Sequence, residues 1–379
     1  MASAPSDALK RRHDLIRTAM ARTSIDALLV TSLPNILYLT NFSGSAAIVV
    51  MTRDRLCFLT DSRYVASVEA SQASAQACPG LEIHIVAGSY DAALADLLTR
   101  LSLEQIGFES AHLSVSRFEW LRATLVAAGR SQPLVPTEGV VEKARLVKDE
   151  YELAMLREAG RRLSTVTEEV FALVRAGRPE FELAADIDWR LRRAGFEKPA
   201  FDTIVAGGPN SALPHARPSE RRLGEGDLVV LDFGGVYGSY CVDLTRTVVV
   251  GRASKRVREV YDAVRRAHAE AIAMVRPGVS RFDIDGAARK AIAAAGMDEA
   301  FGHGTGHGLG LEVHEAPRIV QRRPGVDTRD EAVGVGMVFT IEPGAYFPGW
   351  GGVRIEDDIA VTDHGGERLT TVTTELLEL

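Results

Sequence analysis

The sequence predicts an α/β domain over residues 1–145, followed over residues 146–379 by an α+β domain built from two pseudo-symmetric α-α-β-β halves. Three observations carry this prediction. Short β-rich runs alternate with helical patterns from about residue 10 to 140, an internal repeat runs through the remainder, and each copy of that repeat leads into a pair of strand-like runs. A chain of 379 residues is also longer than one hydrophobic core ordinarily serves.

In the first domain DALLVTS, ILYLTNF, AAIVVMT, RLCFLTD, LEIHIVA and QIGFES read as strands, while HDLIRTAMA and YDAALADLLTRL have helical periodicity. Asp61 and Ser62 in DSRY read as caps of the next helix rather than as a site. The charged, helix-prone segment VEKARLVKDEYELAML contains no Pro/Gly linker. The boundary near residue 145 therefore rests on the change of pattern alone.

The repeat can be checked by counting. Val174-Arg-Ala-Gly177 is followed by Phe181, Leu183 and Ala194-Gly195, and Val275-Arg-Pro-Gly278 by Phe282, Ile284 and Ala295-Gly296, all at one spacing of 101 residues. Each copy has a long helical pattern before the VR-x-G stop and a shorter one after it, with Gly where the second helix would end. The first copy leads to DLVVLDFGGVYGSYCVDLTRTVVV and the second to GMVFTIEPGAYFPGWGGVRIEDDIAV, each a pair of strand-like runs joined by a Gly-rich turn. The two ribbons are expected to pair across a central sheet with helices outside.

Composition narrows the function classes. With 46% apolar and 25% charged residues and a net charge of −7, the chain is a folded protein without the basic field that holds a polyanion, which argues against nucleic acid. The start MASAPSDALKRRHDLIRTAM is charged where a signal peptide would be apolar, and no run approaches bilayer-spanning length. A soluble, cytoplasmic protein with no membrane partner is expected. Cys57, Cys78 and Cys241 lack CxxC spacing and read as small buried hydrophobes.

Each ribbon carries two acids where a strand interior is normally apolar: Asp232 and Asp243 in the first, Glu342 and Glu356 in the second. If the halves pack as proposed, four carboxylates converge. Buried charges cost several kcal/mol each unless matched, so the group must take up protons or hold cations. Two divalent ions would balance four carboxylates, and hard oxygens with one imidazole suit Mn²⁺, Co²⁺ or Zn²⁺.

The run HGTGHGLGLEVHE supplies His303, His307 and His314. The i, i+4 spacing of the first two would suit a zinc-binding helix, but each intervening glycine costs such a helix about 1 kcal/mol relative to alanine. At least one of the three histidines is expected to reach the carboxylates. Spacing does not decide which. His215, in the loop IVAGGPNSALPHARP, leads into the first ribbon and gains interest only from this company.

With TIVAGGPNSALPHARP, LDFGGVYGSYCVDLTRT, HGTGHGLGLEVHE, TIEPGAY and GGVRIEDD in this order, the sequence resembles the pita-bread metallopeptidases, within them the Xaa-Pro aminopeptidase and prolidase branch. The likeness covers almost the whole chain, since YLTNFSGSAAIVV and FLTDSRY look like the smaller creatinase-type N-terminal domain. It implies that Asp232, Asp243, His307, Glu342 and Glu356 are the metal ligands, with Asp243 and Glu356 bridging and Glu342 also moving a proton. It implies further that His215 and His314 hydrogen-bond the substrate and the tetrahedral intermediate, that His303 lines the proline-side pocket, and that Arg354, with Tyr346 close by, belongs to the site.

The expected activity is dinuclear-metal hydrolysis of the Xaa-Pro bond in dipeptides or short peptides, through a hydroxide bridging the ions. The resemblance suggests Mn²⁺, with Co²⁺ or Zn²⁺ as alternatives, and a homodimer. Arg318, four residues past His314, could pair with a free proline carboxylate, which favours dipeptides. Two other classes compete: a metal-free creatinase-like amidinohydrolase and a non-catalytic scaffold on the same fold. An intact ligand set argues against both.

Overall fold

In the computed structural model, which describes residues 3–101, 103–130, 134–323, 325 and 332–379, the chain divides into two compact units, Met1–Arg145 and Leu146–Leu379. The first contains α1 (Ser6–Arg22), β1 (Ala27–Val30), α2 (Leu33–Thr40), β2 (Ile48–Thr52), β3 (Leu56–Asp61), α3 (Val65–Gln72), β4 (Leu81–Val86), α4 (Tyr90–Arg100), β5 (Ile106–Glu109), α5 (Val115–Ala127), β6 (Leu134–Thr137) and α6 (Val140–Arg145). Its sheet has the order β4-β3-β2-β1-β5-β6, with β2 antiparallel to both neighbours and the other pairs parallel. Leu29, Val50 and Leu59 from the strands pack on Leu94, Leu98, Leu121 and Leu125 from α4 and α5.

Two expectations are corrected here. ILYLTNF falls largely in α2, not in a strand: Pro34 presets the first turn, Ile36, Leu39 and Thr40 are buried, and Asn41 ends the helix at φ 62°. A short apolar run carries no period that separates helix from strand. Asp61 does not cap α3, whose N-terminus has no side-chain cap. Its carboxylate instead accepts from the Arg63 N–H at 3.0 Å and from the Tyr90 hydroxyl at 2.8 Å.

The second unit begins with α7 (Glu150–Phe171), entered through a capping box between Asp149 and Glu152, and α8 (Glu180–Arg193). There follow β7 (Lys198–Pro199), β8 (Ile204–Gly207), β9 (Leu228–Tyr237), β10 (Tyr240–Val249), α9 (Lys255–Met274) and α10 (Arg281–Ala294). The chain closes with β11 (Gly306–Gly308), β12 (Glu315–Ile319), β13 (Val338–Ile341), β14 (Gly344–Phe347), β15 (Gly351–Arg354), β16 (Asp357–Thr362) and β17 (Gly365–Arg368). The duplication is visible in the backbone. Gly177 and Gly278, both at positive φ, donate their N–H groups to Leu223 at 2.7 Å and Val333 at 2.9 Å.

Each helix pair covers its own ribbon. Leu156, Leu163, Leu183 and Ile187 pack on Leu231, Phe233, Val242 and Leu244, while Val260, Val264, Ile284 and Ala288 pack on Phe339, Ile341, Val353 and Ile359. Burying such a side chain stabilises by about 1.5–3 kcal/mol. Because strand side chains alternate between faces, fixing Leu231 and Phe233 toward the helices turns Asp232 away from them, and Val242 and Leu244 do the same for Asp243.

The first ribbon is an uninterrupted hairpin from Leu228 to Val249, turning at Gly238 and Ser239, both at positive φ. The second keeps a single register, Ile341 opposite Asp357 and Gly344 opposite Arg354, but its ladder breaks between them. Pro343 lies in the break and has no N–H to give. The expectation that the ribbons pair across one sheet is corrected as well. They lie in separate sheets and meet through bonds such as Glu356 N–H to Thr245 O at 3.1 Å and Arg354 N–H to the Thr247 hydroxyl at 3.0 Å.

Candidate active site

The acids gather where the two ribbons meet. In the first, Asp232 stands opposite Thr245, which places Asp243 two residues away on the same face. In the second, Glu342 and Glu356 occupy the break in the ladder. There Glu342 donates its backbone N–H to Thr305 O at 2.7 Å.

His307 sits in β11, squeezed between β12 and β13. A Cβ on Gly306 would lie 1.8 Å from the Thr340 carbonyl oxygen, and one on Gly308 would lie 2.1 Å from that of Ala316. Only glycine on both sides lets His307 enter this slot.

Asp243, His307 and Glu356 each offer a ligand atom within 4.8 Å of the other two. The His307 Nε2 lies 3.9 Å from Asp243 Oδ2 and 3.5 Å from Glu342 Oε1. Its Nδ1 faces the Gly308 carbonyl at 3.1 Å and must donate there, leaving a lone pair on Nε2 directed at the carboxylates. Asp232 is paired with Arg354, whose guanidinium also donates to the Tyr346 hydroxyl at 2.8 Å. That hydroxyl lies 2.9 Å from His303 Nε2.

All four acids border a cavity of about 680 Å³ that is also lined by His215, His303, His307, His314, Arg318 and Arg354. Phe201, Ile204, Val313 and Val320 supply an apolar wall. Tyr346 does not reach this lining; it stands behind His303 and Arg354. His314 packs edge-on against His307, with ring centroids 4.3 Å apart.

Burial, with the neighbouring acids, pushes the Asp243 and Glu356 carboxyls well above the usual range, and burial raises Glu342 to about 7. Burial also lowers His303 and His307 to about 4, which keeps both imidazoles neutral. Asp232 Oδ1 and Asp243 Oδ1 are buried with no hydrogen-bond partner among the described residues. Unsatisfied carboxylate oxygens beside an open imidazole lone pair form a donor set that fits divalent cations.

A second group, Cys57, Glu82 and His84, lies in the N-terminal unit, but there Arg55 already pairs with Glu82. Sequence reasoning missed several supports of the main site. The Thr245 hydroxyl donates to Glu356 at 2.6 Å, the Thr340 hydroxyl accepts from the His307 N–H at 3.1 Å, and Asp358 accepts from the Asp243 N–H at 3.0 Å. Arg246, fully buried, donates to the Thr245 carbonyl at 2.9 Å, the Glu356 carbonyl at 2.5 Å and the Asp357 carboxylate at 2.7 Å. The DLTRT, FTIE and IEDD strings held the signal for these residues: polar side chains where a buried strand is usually apolar.

Residues 154–363 match the metallopeptidase family M24, and residues 12–147 match the creatinase/prolidase N-terminal domain. The chain belongs to metallopeptidase family M24. It is 34% identical to a Xaa-Pro dipeptidase of Pyrococcus horikoshii over 98% of this chain and 100% of that protein. Among solved structures it is similar to a Xaa-Pro dipeptidase from Bacillus anthracis, with TM-score 0.90 and 37% identity over 98% of this chain and 100% of that one. It is also similar to an X-Pro aminopeptidase from Thermotoga maritima, with TM-score 0.85 and 33% identity over 96% and 100%. The M24 chain thus has the pita-bread catalytic fold behind a creatinase-type N-terminal domain, and divalent metal comes with the family. Among its described residues no helix is long and apolar enough to cross a membrane.

Proposed function

We propose that this M24 peptidase hydrolyses the Xaa-Pro bond of dipeptides and short peptides with two divalent ions, manganese first, with cobalt or zinc as substitutes. The observation that carries the reading is the convergence of Asp232, Asp243, Glu342 and Glu356 with His307 in one cavity, where two carboxylate oxygens have no hydrogen-bond partner among the described residues. These five residues would hold the ions, whose oxygen-rich donor set suits manganese. When bound, the ions supply Lewis-acid polarisation of the scissile carbonyl and an acidified water.

The protein's own residues do the rest. Glu342, half-buried and close to His307, is suited to accept a proton and return it to the prolyl nitrogen. His215 and His314 line the cavity and can present imidazole N–H groups to the developing oxyanion. The apolar wall accommodates the pyrrolidine ring, and His303 is held against that side by Phe301 and Tyr346. The likeness to both a dipeptidase and an aminopeptidase leaves substrate length to the cavity itself.

Arg318 supports the dipeptide form. It lines the cavity and carries no ion pair among the described residues, so its guanidinium can grip a free proline carboxylate. Arg318→Ala should raise KM for Ala-Pro by about tenfold or more, the loss expected for a charge-assisted hydrogen bond, with little change for Ala-Pro-Ala. Steady-state kinetics on the two peptides checks this. Equal effects on both would remove Arg318 from carboxylate recognition.

A further inference from the structure

The repeat identified in the sequence places two unlike charged residues at equivalent points, Glu180 at the start of α8 and Arg281 at the start of α10, each just before the repeated phenylalanine. Both reach toward walls of the same cavity. Arg281 donates to the Arg318 carbonyl at 2.9 Å and so holds the strand from which Arg318 projects. Glu180 faces the opposite loop.

The Glu180 residue is 0% exposed, and its partners among the described residues are all neutral donors. Oε1 accepts from the Gly207 N–H at 2.8 Å and the Asn210 amide at 3.0 Å; Oε2 accepts from the Ser219 N–H at 3.0 Å and the Ser219 hydroxyl at 2.6 Å. Gly207 and Ser219 are the two ends of the loop that carries His215. One carboxylate therefore ties the loop shut at its base.

The His215 imidazole makes no hydrogen bond of its own to a described residue, so its placement in the cavity depends on this loop. A buried carboxylate without a counter-cation is costly unless its oxygens are saturated with donors. Here they are saturated, and the first turn of α8 adds a favourable dipole. An amide in this place would set its NH₂ against N–H donors on one end of the loop.

We infer that Glu180 is a positioning residue for His215, acting by clamping both ends of the 207–219 loop. The inference deepens the peptidase reading, and its kinetic arm rests on that reading. Its exchange arm does not.

In the metal-loaded protein, Glu180→Gln should speed hydrogen exchange of residues 207–219 by about tenfold or more while leaving the α9 and α10 amides protected. It should lower kcat on Ala-Pro by about tenfold with KM within about twofold, yet cost less than about twofold in a His215→Ala background. Ser219→Ala removes one of the four donors and should show the same pattern more weakly, which keeps the test available if the Gln variant does not fold. Unchanged loop exchange overturns the clamp. Equal kcat losses with and without His215 overturn the assignment to His215. Loop exchange that rises in a protein inactive on every Xaa-Pro peptide would support the clamp and overturn the peptidase reading instead.

Discussion

Glu342→Gln is expected to lower kcat on Ala-Pro by about 10²–10⁴, the usual worth of a positioned general acid–base group, while the protein stays folded. Gln matches Glu in volume, and burial already holds the Glu342 carboxyl at about 7 in the ion-free site, so the neutral amide asks little of the fold. What is lost is the ability to take up a proton 3.5 Å from His307 Nε2, where an amide offers only hydrogen-bond donors and a weakly basic oxygen.

Glu342 is also proposed as a ligand, so the two roles must be separated. The assay is kcat as a function of Mn²⁺ concentration. Recovery of activity at high Mn²⁺ would reduce Glu342 to a ligand, and full activity at ordinary Mn²⁺ would remove it from the mechanism. A uniform loss at saturation is the expected result.

The clearest signals in the sequence were those with internal checks. The 101-residue repeat fixed the helix pairs because its glycines recur at positive φ, Gly195 and Gly296 just past α8 and α10, and Gly177 and Gly278 in the turns that lead into those helices. The four acids stood out because a hydrophobic strand period leaves no energetic place for them. What remained hidden depends on long-range contact. That Arg354 pairs with Asp232 across 122 residues, or that Arg246 ties the Glu356 carbonyl to the Thr245 carbonyl, is a property of how the ribbons dock and has no local pattern. The break within the second ribbon, where Pro343 interrupts the ladder, is likewise visible only once its partner Ile355 is known. ILYLTNF was misread for the opposite reason. Its local composition is strand-like, and burial of Ile36 and Leu39 on one helical face overrode it.

Removing the divalent ions should abolish activity and also reverse the pH dependence of stability above pH 6.5. In the ion-free protein Asp243, Glu342 and Glu356 have folded-state values above their unfolded ones, Glu342 at about 7 and the other two well above the carboxylate range. The folded state then binds more protons than the unfolded state. Stability is present at low pH and is lost as pH rises through the folded values, at about 1.4 kcal/mol per pH unit for each group still protonated.

His303 and His307 act in the opposite direction, because burial lowers them to about 4. Their contribution rises with pH only until the unfolded imidazoles have lost their protons, near pH 6.5. Between pH 6.5 and 8 the carboxylates therefore decide the sign. Urea unfolding of the chelated protein, followed through Trp189 and Trp350 of the second unit, should show stability falling over this interval. Re-metallation should raise stability by about 2.7 kcal/mol per ion at a hundredfold excess over Kd, and should do so more at pH 8 than at 6.5, because ions bind the deprotonated carboxylates. A chelated protein that gained stability from pH 6.5 to 8 would mean that the cluster is neutralised by the protein itself, with Arg354 rather than divalent ions as its intended counter-charge.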